Sequence, residues 1–170
     1  MYNDSLVKKL AQSVKLFSGL AHDDIREFLA NCRRRDVAPG EAVICQGEYG
    51  SEMFVIVSGL LEVQQETSAD VHVLAALEPG DVFGELAILD QLPRSATVRA
   101  VSQSIVLVFD RGSLVRIPLV VPKLFRNIAL ILSERLRDTN EMLSITLSTP
   151  RAPVHAESIA GRRYRTRSIG

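Results

Sequence analysis

The segment Phe83-Gly84-Glu85-Leu86-Ala87-Ile88-Leu89-Asp90-Gln91-Leu92-Pro93-Arg94-Ser95-Ala96-Thr97-Val98 sets a carboxylate near one end and a guanidinium toward the other. Its residue types predict a strand end, a glycine, a short helix, a loop and a second strand. The first amides of a helix have no partner within it and attract a phosphate. An arginine meets phosphate oxygens with paired, charge-assisted hydrogen bonds. A carboxylate accepts hydrogen bonds from sugar hydroxyls. A sugar and a phosphate held side by side describe a nucleotide. Taken singly, each residue also has a plain structural reading: Glu85 as a first-turn helix acid, Arg94 as a loop cation.

The elements around this segment change period twice. Leu6, Leu10, Val14 and Phe17 follow a helical spacing, and Asp23-Asp24 open a second helix through Ile25, Phe28 and Leu29. From about residue 33 to 110 short strands are expected at 33–37, 41–46, 53–58, 60–67, 71–77, 94–100 and 104–109. Turn residues separate them at Pro39-Gly40, Gly47, Gly59 and Pro79-Gly80. That punctuation predicts a small antiparallel barrel or jelly roll. A short helix is expected at 114–117, and Pro122 suits the first turn of a long one. There Phe125, Ala129, Leu132, Leu136, Thr139, Leu143 and Thr146 alternate at three and four residues. This reads as a two-helix dimer seam, with packing on the chain's own barrel as the alternative. The fold class is therefore α+β: an antiparallel β-roll, jelly-roll-like, flanked by N-terminal helices and a long C-terminal dimerisation helix.

Composition bounds the function. At 170 residues, 46% hydrophobic and 24% charged, the chain reads as one globular domain with appendages. No apolar run approaches the roughly 18 residues of a membrane span. The first residues lack a basic start followed by an apolar stretch, and Cys32 and Cys45 stand apart as free thiols, so a cytoplasmic location is expected. The zero net charge is uneven. The last 23 residues carry Arg151, Arg162, Arg163, Arg165 and Arg167 against Glu157, leaving an acidic body unlike a nucleic-acid-binding core. His22, His72 and His155 are scattered, and neither a Walker loop, a G-x-S-x-G nor an HExxH occurs, so no enzyme is expected.

Three local patterns resemble the cyclic nucleotide-binding domain family. The first is Gly40-Glu41 followed by Ile44, Gln46-Gly47, Phe54, Ile56 and Gly59. The second is Pro79-Gly80-Asp81 leading into Phe83-Gly84-Glu85-Leu86-Ala87 and then Arg94-Ser95-Ala96-Thr97-Val98, which looks like the family's phosphate-binding cassette. The third, Glu134-Arg135-Leu136-Arg137-Asp138-Thr139-Asn140-Glu141, resembles the dimerising helix of its bacterial activators. The resemblance implies three divisions: an N-terminal helix at 1–15, the binding domain with its last helix at 16–147, and a flexible basic tail at 148–170.

It also implies a site. Glu85 would accept from the ribose 2′-hydroxyl, and amides around Gly84, Glu85, Leu86 and Ala87 would point inward. Gly84 would leave room for the sugar-phosphate. Arg94 would neutralise the cyclic phosphate, with the Ser95 hydroxyl and Ala96 amide completing its contacts. Thr139 and Asn140, one from each subunit of a homodimer, would meet the adenine amino group, while Val71, Val73, Leu74 and Leu143 would line the base. The implied ligand is cAMP, with cGMP or dual recognition as the alternative because of Ser95, and a ligand-free interaction module as a further one. The 23 residues after Leu147 are too few for the activators' helix-turn-helix domain. Direct DNA binding is accordingly not expected, and signalling through an unidentified effector protein is, with the arginine tail as a candidate contact.

Overall fold

The computed structural model of the protein describes residues 4–148. The expected basic tail lies outside the described residues. The chain divides into two units, Met1–Glu134 and Arg135–Gly170.

The first unit opens with α1 (Asp4–Ser13), a 3-10 turn (Lys15–Phe17) and α2 (His22–Ala30). Then come β1 (Cys32–Val37), β2 (Ala42–Ile44), β3 (Glu52–Ser58), β4 (Leu61–Glu66), β5 (Val71–Leu77) and β6 (Val82–Phe83). The single-turn helix α3 (Leu86–Leu89), β7 (Thr97–Ala100), β8 (Ser104–Asp110) and a second 3-10 turn (Arg111–Arg116) follow. The strands form two four-stranded antiparallel sheets, ordered β1-β8-β3-β6 and β2-β7-β4-β5. Antiparallel sheets with flanking helices make the fold α+β, a two-sheet roll as the strand spacing predicts. The helix α4 (Val121–Ser148) begins in the first unit. Among the described residues, no helix is long and apolar enough to cross a membrane.

Side-chain alternation along β3 and β8 builds two cores. Phe54 and Ile56, with Val106 and Val108, point between the sheets and meet Leu61 and Val98. Met53 and Val55, with Leu107 and Phe109, point outward and meet Phe17, Phe28, Leu124 and Ile128. Because both faces are covered, these strands read as unbroken apolar runs rather than alternating ones. The edge strand β5 has no such cover, and all of it except Leu77 is exposed.

Phe28 anchors the helical side. Its ring stacks on Phe109 at 4.6 Å and meets Phe17 edge-on at 5.2 Å. Helix α2 starts where Asp24 accepts from the Ala21 amide at 3.0 Å, and the same carboxylate takes a hydrogen bond from Lys123 of α4. That bond, above all, holds the Asp24 carboxyl below its usual pKa.

Helix α4 packs on the chain's own core through more than the expected seam, from which Phe125 and Leu132 also reach it. Leu124, Ile128 and Ile131 form a second stripe, offset from that seam, and bury on the chain's own core. Between them Asn127 is buried, its amide donating to the carbonyls of Leu16 and Ser18, each at 2.8 Å. In the second unit Leu136, Met142, Leu143, Ile145 and Leu147 are exposed.

Two strands are shorter than predicted. The 41–46 strand contracts to Ala42–Ile44, and the 94–100 strand begins only at Thr97. Arg94 leaves the ladder because its backbone bonds the preceding loop: its amide donates to Glu48 at 2.8 Å, and its carbonyl accepts from Gly47 at 2.9 Å. The short helix expected at 114–117 is the 3-10 turn at 111–116. Its start is fixed by the Asp110 carboxylate accepting from the Gly112 amide.

Replacing Phe28 by Ala should lower the free energy of unfolding by about 3–5 kcal/mol. The same change at Tyr49, which is 79% exposed, should shift it by under about 0.5 kcal/mol. Urea denaturation measures both, and similar losses would contradict this placement of the core.

Candidate functional site

Strand β6 carries the chain into the site. Phe83 stacks on Phe54 at 4.8 Å with the rings 9° from parallel, which fixes the strand's end against β3. Gly84 then turns the chain with φ +72°, a left-handed conformation that side-chain-bearing residues rarely adopt. Glu85 follows as the residue before α3. The turn closes as the Ile88 amide donates to Glu85 at 3.0 Å and the Asp90 amide to Leu86 at 2.9 Å. As the first residues of the turn, Leu86 and Ala87 have no acceptor within it for their amides.

Arg94 is not a solvated loop cation. It is 8% exposed, and its guanidinium donates to the Gly84 carbonyl at 2.9 Å and the Glu52 carbonyl at 2.7 Å. The Phe54 ring centroid lies 6.0 Å from its central carbon, at the outer limit of a cation–π contact. Gly50 closes the other side, where an added Cβ would fall 2.7 Å from a terminal nitrogen. Two of the five guanidinium N–H groups serve the carbonyls.

Glu85 is buried as well, at 4% exposure. Burial lowers the pKa of Arg94, while the carboxylates of Glu52 and Glu85 oppose that shift. A guanidinium stays charged across such a shift. The site therefore holds opposite charges, largely removed from water, inside one short segment.

Gly84 has a further reason besides the one expected. A Cβ there would fall 2.8 Å from Arg94 Nη1 and 3.1 Å from the Glu52 carbonyl oxygen. The glycine makes room for the arginine itself and supplies the positive φ.

Gly84, Glu85, Leu86, Ala87, Arg94, Ser95 and Ala96 all lie in the first unit. Glu85, Ala87, Arg94 and Ala96 are buried, while Leu86 and Ser95 are exposed. Thr139 and Asn140 lie in the second unit, both exposed on α4, and the Thr139 hydroxyl donates to the Arg135 carbonyl at 2.8 Å. Val71, Val73 and Leu74 are exposed on β5.

The sequence reading missed the supports around Arg94. Gly50 and the carbonyl of Glu52 form its seat, and main-chain atoms leave no signature in residue type. Thr97, 1% exposed, accepts from the Gln46 amide at 3.0 Å and donates to Glu66 at 3.2 Å. The Gln46 side chain accepts from the Glu66 amide at 2.8 Å, which binds the end of β2 to β4. A hydroxyl on an inward strand position was the available signal.

A two-sheet roll with a buried Glu–Arg cassette between β6 and β7 defines a class, and sequence comparison agrees with it. The chain belongs to the cyclic nucleotide-binding domain family, whose model matches residues 34–118. It is 42% identical over 96 residues to a cAMP-dependent protein kinase regulatory subunit of Mycosarcoma maydis, covering 56% of this chain and 18% of that protein. It is 30% identical over 131 residues to the cyclic AMP receptor protein of Thermus thermophilus, covering 76% of this chain and 61% of that protein. The crystal structure of the Thermus thermophilus catabolite activator protein superimposes with a TM-score of 0.71 at 29% identity, over 78% of this chain and 62% of that one. The chain thus spans less than two thirds of each of these relatives.

Gly84→Ala should destabilise the protein more than Gly19→Ala. Both glycines have φ near +71°, but a Cβ at Gly19 would meet nothing within 4 Å. The strained backbone alone costs about 1 kcal/mol, and the clash at Gly84 should raise that to about 2–3 kcal/mol. Equal losses in urea denaturation would show that the guanidinium does not need the space.

Proposed function

We propose that this chain is a receptor for a cyclic nucleotide, cAMP, which acts by binding and conformational change rather than by catalysis. The observation that carries the proposal is the joint burial of Glu85 and Arg94, with no more than two of the five guanidinium N–H groups bonded among the described residues. Buried charges are costly, and where they converge they mark functional sites. In this reading Arg94 takes the cyclic phosphate together with Ser95 and the Ala96 amide. Glu85 accepts from the ribose 2′-hydroxyl, and the amides from Gly84 to Ala87 complete the cradle. The names of the kinase regulatory subunit and the receptor protein support cAMP as the nucleotide.

Recognition of adenine by Thr139 and Asn140 belongs to the same proposal, with a homodimer formed through the exposed apolar residues of α4. The output is an effector protein in the cytoplasm, engaged when the ligand-bound state becomes the populated one. The domain division at 16–147 follows, with α4 part of the binding domain. A second reading, cGMP or dual recognition, is favoured by the exposed Ser95 beside Arg94.

Calorimetric titration tests the proposal. cAMP should bind at least about tenfold more tightly than cGMP, a difference of about 1.4 kcal/mol. Equal or reversed affinities would overturn the base assignment. Arg94→Lys keeps the charge but loses the fork, and Arg94→Ala loses both. Affinity should fall through the series, by about ten- to a hundredfold or more for alanine, and unchanged affinity would remove Arg94 from the phosphate. Hydrogen exchange should slow across residues 122–143 when cAMP is added, and no change there would count against the conformational step.

A further inference from the structure

Away from the cassette, a cavity of about 350 Å³ opens where the end of α2, the start of β1, the end of β8 and the 111–116 turn meet. Its wall includes Asn31, Cys32, Arg33, Asp110, Ser113 and Arg116. Arg116 has no carboxylate partner among the described residues. Its Nε donates to Asn31 Oδ1 at 2.6 Å, and a terminal nitrogen donates to the Ser113 hydroxyl. Asn31 is held in turn by donating to the Glu27 carbonyl at 2.9 Å. The guanidinium is thus oriented by neutral groups.

The rest of the wall adds one further cation and one acid. Arg33 spends one terminal nitrogen on Glu52 at 2.6 Å, and its side chain is 59% exposed. Asp110 is the one acid in the wall, oriented by the Gly112 amide at 2.6 Å and the Ser51 hydroxyl at 3.0 Å, so the wall sets two guanidiniums against one carboxylate. Burial pushes the Cys32 thiol up to about 12, so it adds no negative charge near neutral pH.

We infer that this cavity is a second binding site, for a small phosphate-bearing anion, with Arg116 and Arg33 as its cationic contacts. Two guanidiniums against one carboxylate suit an anion rich in oxygens, since each fork presents paired donors. The volume falls at the lower end of small-molecule sites. The site also borders the cassette. Glu52, whose carboxylate pairs with Arg33, gives its carbonyl to Arg94.

Residue-resolved NMR on the full chain tests this, with inorganic pyrophosphate as the probe and malonate as a carboxylate comparison. Pyrophosphate should shift the amides of residues 31–33 and 110–116 at millimolar concentration. Arg116→Gln should weaken that response by about tenfold or more. Arg33→Gln, at a side chain already largely in water, should weaken it in a variant whose folding is not at stake. Shifts confined to residues 84–96 would mean that phosphate finds only the cassette, and would overturn the inference. An absent response, a response to malonate alone, or one unchanged in both variants would overturn it equally.

Discussion

The guanidinium of Arg94 is gripped by two main-chain carbonyls, Glu52 at the start of β3 and Gly84 at the end of β6. Its own backbone bonds Gly47 and Glu48 in the loop before β3. One residue thus ties three separate stretches of chain. The constraint reaches outward from there. Gly84 must be glycine because the guanidinium occupies the space of its Cβ, and Gly50 must be small for the same reason. The stacked rings of Phe54 and Phe83 hold β3 and β6 in the register that brings the two carbonyls together.

A cation buried this way raises a question of energy. The carbonyl bonds satisfy part of its hydrogen-bonding capacity, and the nearby carboxylates of Glu52 and Glu85 offset part of its desolvation. In the proposed reading, an arriving anion would meet a donor group that is already oriented and largely buried. Such preorganisation reduces the ordering cost of binding. The two-sided cores of β3 and β8 give the rigid support that this requires, since neither strand can shift without disturbing apolar packing on both faces.

Much of the fold was legible because hydrophobic period and turn residues carry it. The strand at Val71–Leu77 and the second opening helix lie where period and punctuation place them, while the first helix ends at Ser13 and leaves Phe17 to a separate 3-10 turn. The misjudged features share one cause. The 94–100 strand starts late because Arg94 bonds a loop rather than a neighbouring strand, a partner that no local pattern announces. On α4, the seam reading left out Leu124, Ile128 and Ile131, which pack on the chain's own core beside the seam residues Phe125 and Leu132. Which stripe meets the core depends on the sheet beside it.

The residue types of the cassette, and the order of glycine, glutamate and arginine along it, were set by the sequence alone, because donors, acceptors and charge are covalent properties. Their juxtaposition was decided only by the tertiary structure. The seat of Arg94 is made of backbone carbonyls and a glycine far away in the chain, and every residue carries the same carbonyl. The arginine tail and the base-contacting role of Thr139 and Asn140 remain readings of sequence. The cavity beside Arg116 belongs wholly to structure, since its walls come from a helix end, two strand ends and a turn that only folding brings together.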